Sequence, residues 1–505
     1  MTVLGTAELE LFQSAIVKRL GLRFDDGRLT FLAEVLTRRV EARRLSAGAY
    51  LAALMTDLEA SDELSALARE LTVGETYFFR HADQFSALSE VALPERLSAR
   101  AASRSLRLLS AGCASGEEAY SLAILLRERG IEPGFQVSVQ GFDLNPDSLA
   151  KAARGLYSPW ALRETPPGLK ARWFTSEGRD FRLASSLRES VRFEQHNLVL
   201  DAPSLLPTAA FDVIFCRNVL MYFTTEQAIG IVERLARSLA PGGFLFLGHA
   251  ETLRGLSHAF HLRHTHNTFY YQRRDGAEPV NLDHTPIDRG QRTWSPAVAG
   301  RDWVGPWLET VERSSARIRE LSGDAQPEPA VTATARGAAR DLSQPLELLR
   351  HERFADALEA MQPFSPAEKT DPAALLLRAA ILTHQGELSE AEKSCHELLR
   401  LDDLNAGAHY LLALCCERRG HGPSAIEHDL TAVYLDAGFA MPHLHLGLMA
   451  RRRRDADSAR HELVQALALL EREDASRLLL FGGGFSRGAL LTLCRTELSN
   501  LKGNA

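Results

Sequence analysis

The sequence predicts a multidomain protein: an all-α N-terminal domain, an α/β domain of doubly wound, Rossmann-like type, and an α-solenoid at the C-terminal end. Three observations carry this. Apolar residues at helical spacing fill roughly the first hundred positions. Strand and helix patterns then alternate as far as Arg273. A repeat of about 34 residues runs through the last third. The length of 505 residues suits several domains, and a chain 45% hydrophobic and 24% charged can bury sizeable cores.

In the N-terminal region, Leu9, Phe12, Ile16 and Leu20 recur on one helix face; Phe31, Val35 and Val40 do so on a second segment; Tyr50, Leu51, Leu54 and Leu58 on a third. Gly21 and Gly48 punctuate the first two. Strands are predicted at Leu106 to Ala111, Val137 to Phe142, Val191 to His196, Phe211 to Cys216 and Phe244 to Gly248. Amphipathic helices fit Glu118 to Arg129, Pro146 to Arg154 and Thr225 to Leu239, the last stopped by Pro241-Gly242-Gly243. The stretch His261 to Gln272 suits an added edge strand. Residues 274–340, rich in Ala, Gly, Pro and Asp with one helical stretch at Trp307 to Leu321, read as a linker.

Beyond the linker, a step of 34 residues aligns Ala379, Ala413 and Gly447, then Ala391, Ala425 and Ala459, then Leu398, Ala432 and Ala466. Gly386 and Gly420 share a turn column that Arg454 breaks. Small residues at fixed places let paired helices approach closely, and this period is the tetratricopeptide signature. Repeats are placed at 371–404, 405–438 and 439–472, with Leu346 to Met361 as a degenerate fourth. The predicted division is therefore 1–92, 93–273, a linker, and 341–505.

Several classes are set aside. A net charge of −7 argues against a chain-wide nucleic-acid binder. The start lacks a secretory signal, uncharged runs are too short to span a membrane, and six cysteines include no CxxC pair. A reduced, cytoplasmic protein without membrane insertion is expected. His258, His261, His264 and His266 have no acid or cysteine set beside them, so no metal is expected. Cys415 and Cys416 read as packing residues, and Arg451 to Arg454 as a solvated helix end or a dock for an acidic partner. Arg38, Arg39, Arg43 and Arg44 form a basic cluster that is either a solvated face or a guide for an acidic substrate.

The chemistry concentrates in Leu108 to Glu118, where a strand enters a small loop with Gly112 and Gly116 and then a helix. The absent side chains let a ligand lie against backbone at the carboxyl end of a sheet. Asp143, closing the next strand, can accept both ribose hydroxyls of a nucleoside cofactor. Glu117 and Glu118 would repel a pyrophosphate but suit the positive end of S-adenosylmethionine; helix-dipole stabilisation accounts equally well for one of the two.

Leu71 to Arg80, Ala111 to Tyr120, His196-Asn197-Leu198, Phe215 to Phe223, and Pro241-Gly242-Gly243 to Glu251 resemble, in order, the blocks of the chemotaxis-receptor (CheR-type) protein-glutamate O-methyltransferases. The resemblance spans residues 8 to 273. It implies a helical N-terminal domain, a Rossmann-like S-adenosylmethionine-dependent methyltransferase domain, and esterification of glutamates on chemoreceptor cytoplasmic helices, with S-adenosylhomocysteine as product. It further implies cofactor contacts from Thr76 and Arg80, the methionine end at Glu117 or its neighbour Glu118, and the ribose at Asp143. Asn197, Leu198, Arg217 and Asn218 are implied to line the adenosine pocket, with Arg80 and Tyr222 near the transferred methyl. Gly74 stands where the family often has asparagine, so a contact through that side chain is absent or replaced. Family members with attached tetratricopeptide repeats exist, and the repeats here imply a protein partner. Two other readings carry different functions: a catalytically silent binding protein acting through its repeats, and a methyltransferase of a small carboxylic acid. The intact Arg80, Asp143, Asn218 and Tyr222 count against the first; the helical domain and the repeats count against the second.

Overall fold

The computed structural model describes residues 5–24, 28–56, 61–72, 74–249, 251–274, 342–351, 353–362 and 371–502. The chain divides into two compact units, Met1–Gly290 and Gln291–Ala505. The predicted linker helix at Trp307 to Leu321 lies outside the described residues.

The first unit begins with α1 (Thr6–Leu20), α2 (Leu29–Arg43), α3 (Ala47–Thr56) and α4 (Ser61–Leu71). Phe12, Ile16 and Leu20 are buried as the spacing predicts, and Gly21 ends α1 at φ +79°. On α2 the core face is Leu32, Val35 and Leu36, with Phe31 and Val40 only half-buried. Gly48 lies inside α3; the second segment stops instead at Arg44, at φ +53°. The basic cluster is largely a clamp: Arg38 meets Glu70 at 2.8 Å, Arg39 grips Glu63 through Nε at 2.8 Å and Nη2 at 2.7 Å, and Arg43 lies 3.6 Å from Glu63. Tyr50 donates to the same carboxylate. Three of the four arginines thus tie α2 to α4 rather than forming an open basic face.

Helices α5 (Ala82–Ala87) and α6 (Leu93–Ala99) lead into the sheet. Its strands are β1 (Ser105–Ala111), β2 (Gln136–Asp143), β6 (Val191–Gln195), β7 (Phe211–Cys216), β8 (Leu239–Leu247), β9 (Phe260–Thr265) and β10 (Thr268–Arg273), in the order β6-β2-β1-β7-β8-β10-β9. The first five are parallel and the last two antiparallel. The edge strand is therefore β9; the Thr268 to Tyr271 run sits one place inside, where Tyr270 and Tyr271 are fully buried. The crossover helices are α7 (Glu117–Arg129), α8 (Pro146–Arg154) and α11 (Thr225–Ser238). Pro241-Gly242-Gly243 does not stop α11; β8 begins at Leu239 and runs through it. Asp212, fully buried, accepts from Arg96, from Arg100 and from the Arg107 backbone, fixing α6 to the sheet.

Between β2 and β6 the chain makes a small antiparallel sheet, β3 (Leu156–Tyr157), β4 (Phe174–Glu177) and β5 (Asp180–Leu183) in the order β3-β5-β4, with α9 (Pro167–Trp173) and α10 (Ser185–Arg188). Its strands are too short to show a period in the sequence.

The second unit is helical throughout the described residues: α12 (Ser343–Arg350) and α13 (Phe354–Ala360), α14 (Pro372–Gln385) and α15 (Leu388–Leu401), α16 (Ala406–Arg418) and α17 (Gly422–Leu435), α18 (Ala440–Arg452) and α19 (Ala456–Leu470), then α20 (Ala475–Phe481) and α21 (Arg487–Lys502). Ala379, Ala413, Ala391, Ala425, Ala459, Leu398, Ala432 and Ala466 are all fully buried. A Cβ on Gly447 would stand 2.8 Å from Leu463, which explains the smallest residue in that column. Gly386 and Gly420 take φ +85° and +81°, and Arg454 adopts the same left-handed turn at +63°. Cys415 packs with Leu382 and Ala391, as a core residue. Arg451 and Arg452 pair with Glu497 and Glu417.

Candidate active site

β1 lies between β2 and β7, so the strand order reverses at its carboxyl end, the place where open α/β sheets bind ligands. There the chain turns at Gly112, whose φ of +77° brings it so close to Val219 that a Cβ would stand 2.4 Å away. Ala114 follows at φ +47°. A cavity of about 330 Å³ opens at this point, a size suited to a small-molecule ligand.

Thr76, Arg80, Asp143, Asn197, Leu198, Arg217, Asn218 and Tyr222 all line the cavity. Of the two acids at the start of α7, the wall residue is Glu118. It accepts from Ser110 Oγ at 2.7 Å and from Arg217 Nε at 2.6 Å. Glu117 points elsewhere, accepting from Ser115 Oγ at 2.8 Å, and burial pushes its carboxyl up to about 7. Gly74 also lines the cavity, and a Cβ placed on it would stand 3.4 Å from Ser148 Oγ.

Asp143 is held by backbone: Oδ2 accepts from Ala114 N and Oδ1 from Asn145 N, each at 2.8 Å. Burial raises its pKa, against the pull of those N–H groups. Each oxygen keeps a lone pair for a further donor. Arg217 is buried between Glu118, the Gln84 side chain at 2.9 Å and the Arg80 carbonyl. Arg80 stands between two left-handed residues, Phe79 at φ +56° and His81 at +62°; such backbone costs about 1–3 kcal/mol per residue and persists where surroundings over-determine it. Among the described residues its Nε is buried without a hydrogen-bond partner, as is Nε2 of His196, which also lines the cavity. Among the described residues the Tyr222 hydroxyl makes no hydrogen bond.

Several contributors carried no role in the sequence reading. Glu251 accepts backbone N–H groups from Asn218, Val219, Met221 and Gly248. It sat inside a recognised block, and that was its only signal. The segment just after α1 forms part of the wall: Leu22, Arg23 and Phe24 line the cavity, Leu22 bridges to Phe223, and the Arg23 N–H donates to the Tyr222 carbonyl at 2.8 Å. Asn197 Nδ2 and Gln227 Nε2 donate to the Arg19 and Val17 carbonyls. No local sequence feature announces these contacts across nearly two hundred residues.

Outside the cavity, the predicted histidine group disperses. His264 stacks on Phe269 and His266 meets Glu90 at 3.0 Å. Among the described residues no three metal-capable side chains converge, and no helix is long and apolar enough to cross a membrane.

A mostly parallel sheet with an acid closing its second strand, a cavity at the switch point and no phosphate-binding lysine loop define the class of nucleoside-cofactor enzymes to which Rossmann-like methyltransferases belong. The residues fit S-adenosylmethionine: Asp143 offers ribose acceptors, Gly112 leaves backbone bare, and Glu118 faces the cavity. Residues 74–269 match the family model "CheR methyltransferase, SAM binding domain". The chain is 30% identical over 404 residues to a probable biofilm formation methyltransferase WspC of Pseudomonas putida, covering 80% of this chain and 85% of that one. It is 32% identical over 269 residues to chemotaxis protein methyltransferase 2 of Vibrio cholerae, covering 52% of this chain and 92% of the relative. The chain belongs to the CheR family of S-adenosylmethionine-dependent methyltransferases.

Proposed function

We propose that the protein esterifies glutamate side chains on the cytoplasmic helices of chemoreceptors, and that its second unit is a tetratricopeptide array that captures a protein partner. The observation that carries the first part is the convergence of Arg80 and Tyr222 on the same cavity as Asp143. A cytoplasmic setting follows from such a substrate.

When bound, S-adenosylmethionine supplies a methyl group on a cationic sulfur, which an ionised carboxylate can take up as an ester without a general base. A glutamate has a reference pKa near 4.3 and is already ionised at neutral pH, so the chain's work is binding and alignment. Asp143 would hold the ribose; Asn197, Leu198, Arg217 and Asn218 would surround the adenosine; Thr76, Arg80 and Glu118, in place of Glu117, would face the methionine end. The buried Arg80 Nε has a donor to spare for the incoming carboxylate. Tyr222, with its hydroxyl uncommitted, orients the same group. Leu22 and Phe24, beyond the end of α1, put apolar surface on the pocket wall and limit water there.

The Pseudomonas putida relative named for biofilm formation matches 80% of this chain, well beyond the methyltransferase region, so receptors that control biofilm formation stand beside chemotaxis receptors as substrates. The helix pairs at a step of 34 residues, with small buried residues in register, support the tetratricopeptide reading.

The test is transfer of labelled methyl from S-adenosylmethionine to receptor cytoplasmic fragments. Label released as methanol by mild base is expected; base-stable label, or none, overturns the glutamate assignment.

A further inference from the structure

Two guanidinium groups, one of them Arg80 on the cavity wall, share one aromatic ring. Arg80 lies 5.6 Å and Arg163 3.5 Å from the centre of the Tyr77 ring, and Arg163 also covers Trp160 at 4.1 Å. The stack Trp160–Arg163–Tyr77–Arg80 starts at the surface, where Trp160 is 65% exposed, and ends at Arg80 on the cavity wall.

The stack is built rather than incidental. Arg163 Nη1 donates to the Trp160 carbonyl at 2.8 Å. The Phe78 N–H, next to Tyr77, donates to the Ala161 carbonyl at 2.9 Å. The Phe78 ring sits edge-on to Tyr157 and Phe174, at 4.8 and 5.0 Å. The short helical turn Trp160–Leu162 is therefore locked in register with the Thr76 to Arg80 segment.

Neither guanidinium has a carboxylate partner among the described residues; each bonds only to a carbonyl. Two like charges on one ring favour anions. Stacking between rings holds a guanidinium flat and leaves its edge donors free for a carboxylate. Arg80 is assigned the carboxylate that is methylated, which leaves Arg163 with none.

We propose that Arg163, presented by Trp160 and Tyr77, binds a second carboxylate of the protein substrate, one helical turn from the target glutamate. The inference rests on the function proposed above and extends it to substrate choice. The two guanidiniums are no more than about 9 Å apart, given their 3.5 and 5.6 Å distances from one ring centre. Helix residues three or four apart have Cβ atoms about 5–6 Å apart, and two acidic side chains leaving one helix face span the rest. The occupant of the stack is thus an acidic helix with its acids one turn apart.

The experiment uses the full chain, labelled S-adenosylmethionine, and a chemoreceptor cytoplasmic fragment with one methylatable glutamate and an acid one turn away. Arg163→Gln should raise KM for the fragment by about tenfold, with kcat within about twofold and cofactor affinity unchanged; Arg163→Lys should restore part of the loss. Changing the neighbouring acid of the fragment to glutamine should raise KM for the parent enzyme by a similar factor and add nothing to Arg163→Gln. An unchanged KM in Arg163→Gln, or two effects that multiply independently, overturns this proposal and leaves methyl transfer standing. Absence of a base-labile ester on any fragment, with cofactor bound, overturns the proposed function and this inference with it.

Discussion

Glu251 Oε2 accepts the backbone N–H of Asn218 at 2.7 Å, in a turn where Asn218 is held at φ +58°. The same carboxylate takes N–H groups from Gly248 at 2.8 Å, Val219 at 2.9 Å and Met221 at 3.3 Å. One buried side chain therefore shapes the wall that carries Asn218 and Tyr222 without itself lining the cavity. A Cβ on Gly248 would stand 2.8 Å from Glu251, so the glycine makes room for the acid.

Replacing Glu251 by glutamine turns one acceptor of this set into a donor facing donors. The variant should lose about 1.5–3 kcal/mol of stability, the range for charge-assisted bonds, and bind S-adenosylmethionine at least about tenfold more weakly, because Asn218 shifts. Chemical denaturation together with calorimetric titration checks both; a stable variant of parental affinity would show that the turn is set by other contacts.

Asp143→Ala should weaken cofactor binding by about 1.5–3 kcal/mol. It also strands the Ala114 and Asn145 N–H groups, so Asp143→Asn is the companion variant: it keeps one acceptor and should fall between the two. Equal affinity in all three proteins by calorimetry would remove Asp143 from the ribose role.

Much of this was legible in the sequence because it rests on short-range signals. The strand running into Gly112, the acid closing β2 and the small-residue columns of the repeats each report a local steric demand. What was not legible rests on partners distant in sequence. Glu117 and Glu118 are indistinguishable by pattern; only Ser110 and Arg217 on the sheet decide that Glu118 faces the cavity. The small sheet at residues 156–183 has strands too short for a period, and Arg39 cannot announce that Glu63 takes its charge. Arg454 breaks a glycine column in the sequence yet keeps its left-handed turn in the fold.

Tyr222→Phe removes a hydroxyl that has no partner among the described residues, so folding should be unaffected. Turnover of bound complex should fall while cofactor affinity stays near parental. Single-turnover kinetics with saturating cofactor separates the two; a fall in affinity with normal turnover would move Tyr222 to the cofactor side.

His81 and His249 stack edge-on, ring centres 4.0 Å apart, beside Arg80 and Arg217. Burial first, then those neighbours, pushes His81 down to about 4 and His249 below its ordinary value. The unfolded chain takes up a proton at His81 near pH 6.5 and the folded chain does not until about pH 4, so stability is full above 6.5 and falls as pH drops between the two. Glu117, raised to about 7, contributes with the opposite sign, losing stability as pH rises from about 4.5 to 7. His81→Asn removes only the first effect. Its melting temperature should therefore fall less than the parent's between about pH 7 and pH 5; identical slopes would mean that His81 titrates normally in the folded protein.

In the second unit, α20 lies across α14 and α16 and closes over the start of α18. Phe481 is fully buried, its ring 5.0 Å from Phe439 and 5.9 Å from Tyr410. His384 Nε2 lies 3.1 Å from the Leu480 carbonyl. Arg477 meets Asp436 at 3.0 Å while covering the Phe439 ring at 4.3 Å. The partner for Phe481 is a missing side chain: a Cβ on Gly407 would stand 2.8 Å from the ring, and 3.2 Å from Leu376. Phe481→Ala should cost about 3–5 kcal/mol, as for other buried aromatic truncations. Gly407→Ala, which in an open helix would stabilise by about 1 kcal/mol, should destabilise here through the clash. Combined, the two substitutions should cost less than their sum, because removing the ring relieves most of the collision and only Leu376 remains close. Denaturation of the four proteins measures the coupling; strict additivity would mean that α20 does not rest on Gly407 in solution.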